Sequence, residues 1–217
     1  MIQGAIFDCD GTLFDSMYLY RNFCRRYLAD KGIESKQDLD ETVRYMGIMA
    51  AAEYIRCTYN IAGTAKQIVQ EWNHILEKAY FYEIRLRPGV RELVAALYNR
   101  DIPMCVATAT DRYLVEAALR REGILNCFGD ITTCGEVGAG KEQPDVFLRA
   151  LEILGTDAAS TWVFEDARHA VFTAKKCGFS VCAVFDEDEQ DHIVEIKEKS
   201  DIYLESFADF PLQRLFI

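Results

Sequence analysis

Apolar and polar positions follow two rhythms along this chain. Short apolar runs at 2–7, 102–107, 130–134, 161–165 and 180–185, with a weaker one at 201–204, have the length and residue types of buried strands. Between them, apolar positions recur at helical spacing over 89–100, 111–122, 144–154 and 167–177. Pro88-Gly89 and Pro144 stand at two of these helix starts, and Gly178 follows the last helix end. Such alternation predicts an α/β fold with a doubly wound parallel sheet. The stretch 14–85 is different. It carries helical periods at 16–31, 38–46, 49–58 and 64–82, punctuated by Gly32, Gly47 and Asn60, and no strand-like run. The expected organisation is an α/β core of 1–13 and 86–217, with an α-helical cap of 14–85 inserted after the first strand.

Charge sharpens that boundary. The chain of 217 residues carries a net charge of −11, yet residues 14–85 hold equal numbers of acidic and basic side chains, so the rest carries the whole excess. An acidic balance argues against nucleic-acid binding, which needs clustered Lys and Arg. It leaves a small phosphorylated metabolite open as a substrate, because that recognition is local. No apolar run approaches the ~18 residues of a membrane span, and the first residues lack the basic start of a secretory signal. The expectation is a cytoplasmic protein, a monomer or weak homodimer, whose eight cysteines are reduced thiols with no Cys-x-x-Cys pair. The acidic run 186–191 reads as a solvated loop.

The candidate chemistry lies just past the strands. The first strand empties into Asp8-Cys9-Asp10-Gly11-Thr12-Leu13. Positions i and i+2 of a strand share a face, so Asp8 and Asp10 repel unless a cation or shared proton offsets them. Asp-x-Asp-Gly is also what a strand end with an Asx-type turn looks like, and the later strand ends decide between the two. The second strand ends in Thr108-Ala109-Thr110, the third is followed by Lys141, and the fourth ends in Glu165-Asp166. Carboxylates, a hydroxyl and a lysine converging on one crevice suit phosphoryl transfer, in which positioning and charge stabilisation do most of the work. Asp8 is the candidate nucleophile and Asp10 the candidate general acid and base. Thr108, backbone N–H groups at Ala109 and the Lys141 ammonium are candidates for holding phosphate oxygens. Mg²⁺ suits the acidic set of Asp8, Glu165 and Asp166, being a hard cation that prefers carboxylate oxygens.

With these residues in this order, the sequence resembles the haloacid dehalogenase-like hydrolases, in the branch of phosphatases and β-phosphoglucomutases with a helical cap after strand one. Asp8-Cys9-Asp10-Gly11-Thr12-Leu13 matches the family's first motif, Thr108 its second, Lys141 within Lys141-Glu142-Gln143-Pro144-Asp145 its third and Glu165-Asp166 its metal-binding fourth. The resemblance implies a Mg²⁺-dependent phosphomonoester hydrolase working through an aspartyl-phosphate on Asp8. It also implies that Asp10 lends its backbone carbonyl to the metal.

Three kinds of relative within the family differ from this chain in their chemistry. The two-acid dehalogenases lack the second aspartate, so Asp10 argues against their chemistry. The mutases usually carry a histidine where an ungapped alignment places Tyr20, and a basic cap-loop residue where this chain has the apolar run beginning at Gly47-Ile48-Met49. Hydrolysis is therefore expected over phosphosugar mutase activity. Tyr20, Arg44, Tyr45 and Arg56 are candidate substrate contacts in the cap. The phosphonate-cleaving relatives use a cap lysine as a Schiff base, but Lys31, Lys36, Lys66 and Lys78 lie in no distinctive context for one, and His74, His169 and His192 lack partner spacing. Outside the enzymes, a phospho-acceptor signalling module combines similar strand-end groups, but such modules are much shorter and lack the insertion.

Overall fold

The computed structural model describes residues 1–43, 46 and 48–210. They form two compact units, one built from Met1–Ser16 and the chain from Ile84 onward, the other from Met17–Glu83. In chain order, β1 (Gly4–Phe7) is followed by α1 (Met17–Tyr20), α2 (Phe23–Asp30), α3 (Leu39–Val43), α4 (Ile48–Thr58) and α5 (Ala65–Lys78). Next come α6 (Val90–Tyr98), β2 (Met104–Thr108), α7 (Arg112–Arg121), β3 (Asp130–Thr133), α8 (Cys134–Val137) and α9 (Asp145–Leu154). The chain continues through β4 (Thr161–Glu165), α10 (Arg168–Lys176), β5 (Ser180–Val184), α11 (Ile193–Lys199) and β6 (Ile202–Leu204).

The six strands pair in parallel in the order β3-β2-β1-β4-β5-β6. The strand order therefore reverses direction between β1 and β4, the place where doubly wound sheets bind ligands at their carboxyl ends. Pleat alternation sorts the side chains. Ile6, Cys105, Ala107, Val163, Val181 and Ala183 pack with Phe147 of α9 and Val171 of α10. Phe7 and Phe164 turn to the other face, where their rings stack with centroids 4.3 Å apart. Phe128 meets Phe7 edge-on at 5.9 Å. Full burial of each such ring stabilises the fold by about 1.5–3 kcal/mol. On the same unit Gly89, at φ 87°, starts α6 directly against backbone, since a Cβ there would stand 2.2 Å from the Phe207 carbonyl carbon. No side-chain-bearing residue fits that approach.

The inserted unit has its own core, in which Tyr27, Leu28, Ile55, Ile68 and Trp72 are buried together. Phe23 and Tyr27 both meet the Trp72 ring near perpendicular, at 5.8 Å. The helix predicted over 16–31 is broken in two. Asn22 adopts the left-handed conformation, φ 52°, and the Arg26 guanidinium donates to the Tyr18 and Leu19 carbonyls at 3.2 and 2.7 Å. Asparagine tolerates that conformation, and the arginine satisfies carbonyls that the break would orphan. α5 begins with a capping box, Thr64 N–H donating to Gln67 Oε1 at 2.8 Å and Gln67 N–H to Thr64 Oγ1 at 3.3 Å. It widens after Lys78 into a π turn, Ala79–Glu83, in which Tyr80 is fully buried.

The unit boundaries fall inside the predicted 14 and 85. Phe14 bridges to Leu86 and Asp15 N–H donates to the Arg85 carbonyl at 3.0 Å, which ties both chain crossings to the sheet unit. The helix predicted over 49–58 is α4, which begins at Ile48, so the apolar run compared with the mutases' cap loop is its first turn, with Ala51 and Ala52 buried. Gly47, Arg44 and Tyr45 lie outside the described residues. Part of the acidic run 186–191 winds into a 3-10 turn, Glu187–His192, with the Asp186 carboxylate accepting from Asp188 N–H at 2.9 Å. Among the described residues, no helix is long and apolar enough to cross a membrane.

Candidate active site

Strand register builds the centre of the site. Pairing of Phe7 with Phe164 sets the next residues of β1 and β4 side by side, and Asp8 N–H donates to the Phe164 carbonyl at 2.9 Å. Continued alternation puts Asp8 on the Ile6 face and Glu165 on the Val163 face, which are the same face. Lys141, arriving from the segment between α8 and α9, donates to Asp8 Oδ1 and, at 2.5 Å, to Glu165 Oε1. The other Glu165 oxygen accepts from the backbone N–H groups of Asp166 and Ala167 at 2.9 and 3.0 Å. Asp166 Oδ1 accepts the Thr12 hydroxyl at 2.8 Å. Asp8, Thr12, Lys141, Glu165 and Asp166 are all buried.

Three carboxylates against one ammonium leave this buried cluster short of positive charge. Burial is the main reason the Asp8 carboxyl is lifted to about 8; Lys141 opposes that rise, while Glu165 and Asp10 add to it. Burial, with Glu165 and Asp8, also holds Asp166 well above the usual carboxylate range. Burial alone would lower the Lys141 pKa, but attraction to Asp8 and Glu165 outweighs it and raises it. Among the described residues, Asp8, Glu165 and Asp166 each bring an oxygen within 4.8 Å of the others'. A donor set of hard carboxylate oxygens with excess negative charge fits a divalent cation.

The second aspartate has separate partners. Asp10 Oδ1 accepts the Ser16 hydroxyl at 2.5 Å and Asp10 Oδ2 the Thr110 hydroxyl at 2.6 Å. Thr108, buried at the end of β2, accepts Thr110 N–H on its hydroxyl at 3.0 Å. Ala109 lies exposed one residue past β2. Gly11, at φ 85°, turns the loop between Asp10 and Thr12, and Arg87 donates to its carbonyl and, at 2.6 Å, to that of Phe185.

Asp8, Lys141, Glu165 and Asp166 are thus linked directly, and Asp10 is linked through Thr110 to Thr108. The sequence reading assigned no task to Thr12, Ser16, Thr110 or Arg87. Thr110 stood in the quoted Thr108-Ala109-Thr110, and its hydroxyl at the strand end was the available signal. The short α8, which precedes Lys141, was also missed, although Thr133-x-x-Glu136 is a capping box at its start. In the inserted unit, the Tyr20 hydroxyl lies 2.7 Å from that of Tyr80, Arg56 pairs with Glu53 and Lys31 with Glu71.

The model of the family described as "Haloacid dehalogenase-like hydrolase" matches residues 5–184. Among curated proteins, the chain is 28% identical over 182 residues to the phosphorylated carbohydrates phosphatase of Thermotoga maritima, covering 82% of each. It is 28% identical over 213 residues to the bifunctional riboflavin kinase/FMN phosphatase of Arabidopsis thaliana. That match spans 97% of this chain but 55% of the plant protein, so the chain corresponds to about half of it. A solved structure of CbbY from Rhodobacter sphaeroides, in complex with xylulose-(1,5)bisphosphate, superposes with a TM-score of 0.78 over 97% of both chains at 24% identity.

Proposed function

We propose, from the premise that this chain belongs to the haloacid dehalogenase-like hydrolases, that it is a divalent-cation-dependent phosphatase of small phosphate monoesters. The observation that carries this reading is Lys141 bound to both Asp8 and Glu165 in a buried acidic cluster at the sheet's switch point. The phosphatase names of its curated relatives agree with it.

In this reading, Asp8, Asp166 and Glu165, with the Asp10 carbonyl, would hold Mg²⁺, whose charge would offset the repulsion between a phosphate and the Asp8 carboxylate. An Asp8 carboxylate oxygen forms a bond to phosphorus as the ester P–O bond breaks. The departing oxygen takes a proton from Asp10. A water then gives a proton back to Asp10, and its oxygen displaces Asp8 from phosphorus, releasing inorganic phosphate. Lys141 balances charge on the phosphoryl oxygens, and the Thr108 hydroxyl and Ala109 N–H bond to them. Both Glu165 oxygens already accept hydrogen bonds, so Glu165 also fixes Lys141 beside Asp8.

Asp8→Asn tests the mechanism. Phosphate release should vanish while the protein stays folded, by circular dichroism; normal turnover in this variant would remove Asp8 from the chemistry. A panel spanning phosphorylated carbohydrates, FMN, phosphoglycolate and an aryl phosphate ranks the substrates. Conversion of β-glucose 1-phosphate to glucose 6-phosphate in the presence of the bisphosphate should be slight, since Tyr20 stands where the mutases carry histidine. A long-lived phosphoprotein after incubation with acetyl phosphate, in place of rapid phosphate release, would favour a signalling role.

A further inference from the structure

The hydrolytic reading above gives Asp10 a demanding task, which is to hold a proton on the line to the departing oxygen. We propose that Thr110 is a positioning residue for Asp10, tying the proton-transfer carboxyl to the strand end that carries Thr108. The proposal rests on the hydrolytic reading.

Rotation of the Asp10 carboxyl has to be fixed for it to serve the departing oxygen. Asp10 has two rotatable side-chain bonds, and the adjacent Gly11 turn constrains only the backbone. Each carboxyl oxygen is instead met by a hydroxyl, Ser16 on Oδ1 at 2.5 Å and Thr110 on Oδ2 at 2.6 Å. The two are not equivalent. Ser16 belongs to the same chain segment as Asp10, six positions on, and moves with it. Thr110 is 100 positions away in sequence and sits just past β2, the neighbour of β1 in the sheet.

Thr110 also reaches in a second direction. Its N–H donates to Thr108 Oγ1 at 3.0 Å, so one lone pair of that hydroxyl is occupied and its proton is left to point to another acceptor. The residue that grips the proton donor therefore also orients the hydroxyl assigned to the phosphate. Fixing both from one position sets their separation, which is what in-line transfer with concerted protonation needs. The carboxyl becomes charged as its proton leaves, and a hydrogen bond to a charged group is strong enough for its loss to be felt kinetically.

Thr110→Val keeps the shape and the N–H but removes the hydroxyl. The variant should be compared with the parent protein on two esters in Mg²⁺. One is an alkyl phosphate, whose alkoxide must be protonated to leave; the other is p-nitrophenyl phosphate, whose phenolate leaves without help. The readout is the first-turnover rate of alcohol or phenolate release, with inorganic phosphate as a competitive inhibitor. Thr110→Val should slow alkyl release about 10- to 100-fold and change aryl release less than about threefold. Inhibition by phosphate should be unchanged, which also reports a folded site. Thr110→Ser should restore alkyl release. Thr108→Val should give the opposite signature, weaker phosphate inhibition with similar losses on both esters.

An unaltered alkyl rate in Thr110→Val, an equal loss on both esters, or failure of serine to rescue overturns the assignment. If the parent protein hydrolyses neither ester, the hydrolytic reading falls and takes the assignment with it. If the parent hydrolyses both and only the Thr110 pattern fails, the hydrolytic reading stands.

Discussion

Each of the two compact units is stabilised internally by a different kind of contact. The sheet unit places a polar network at its strand ends from residues far apart in sequence: Thr12 meets Asp166 across 154 positions and Lys141 meets Asp8 across 133. The inserted unit is closed by an aromatic and aliphatic cluster around Trp72, with capping bonds and ion pairs near its surface. Dispersion and apolar burial tolerate substitution gradually, whereas a buried charge network fails when a single partner is lost. The chemistry is therefore expected to be brittle in the sheet unit, while the insertion should accept variation as long as its volume is kept.

The sharpest challenge to that contrast is Lys141→Met. It leaves Asp8 and Glu165 without their shared cation, and breaking a buried pair in this way costs about 3–5 kcal/mol. Urea denaturation at pH 8 should show that loss together with a near-complete loss of phosphate release. Equal stability in variant and parent would mean that the pair is not desolvated. The matching change in the insertion, Trp72→Ala, removes a side chain buried in its core and costs about 3–5 kcal/mol. Hydrogen exchange should confine the loosening to 17–83; faster exchange in the β1 and β4 amides would show that the two units unfold as one.

Removing a cation from the acidic cluster should have a smaller effect, with a defined sign. Asp8, lifted by burial to about 8, and Asp166, lifted well above its ordinary range, keep protons in the folded state that the unfolded chain releases near pH ~4. The folded state then binds more protons, so stability falls as pH rises from about 4 toward about 8. Melting temperatures in EDTA should follow that slope and Mg²⁺ should flatten it; parallel curves would speak against a cation among these carboxylates. The smallest effect belongs to Arg112, which pairs with Glu136 and Asp130 at the half-exposed edge of the sheet unit. Hydrogen bonds from Arg112 hold the Glu136 carboxyl below its usual range, so its contribution is present at neutral pH and disappears as pH falls below the ordinary carboxylate range. Arg112→Met should cost less than about 1 kcal/mol at pH 7, and nothing in acid.

What the sequence revealed follows the same division. Asp8, Glu165 and Asp166, which the fold brings together with Lys141, could be singled out because buried strands announce their ends by hydropathy. Lys141, beyond α8, rested on the resemblance and on its place after the third strand. Thr12, Ser16, Thr110 and Arg87 were passed over because hydroxyls and arginines in loops are ordinary until their partners are known, and those partners lie on other strands. In the insertion, helical periodicity ran straight through Asn22. Apolar spacing on both sides of that break continues, while the cause of the break, the Arg26 guanidinium on the Tyr18 and Leu19 carbonyls, is polar and invisible to periodicity. The run from Ile48 to Ala52 was set against the mutases' cap loop although helical periodicity is legible from Met49; in α4 its Ala51 and Ala52 are buried while Ile48 and Met49 are exposed.

The strand order carries a consequence for how the molecule is made. β1 emerges first but lies in the middle of the finished sheet, flanked by β2 and β4. A ribosome-bound chain must therefore keep an apolar strand and the Asp8 carboxylate waiting until the whole insertion, β2, β3 and β4 have been synthesised. Folding dominated by such distant pairings is slow, and its intermediates expose unpaired strand edges. A chain halted before Lys141 would hold Asp8 without its ammonium partner and β1 without β4, so the acidic cluster and the pairing of β1 should be completed together, late.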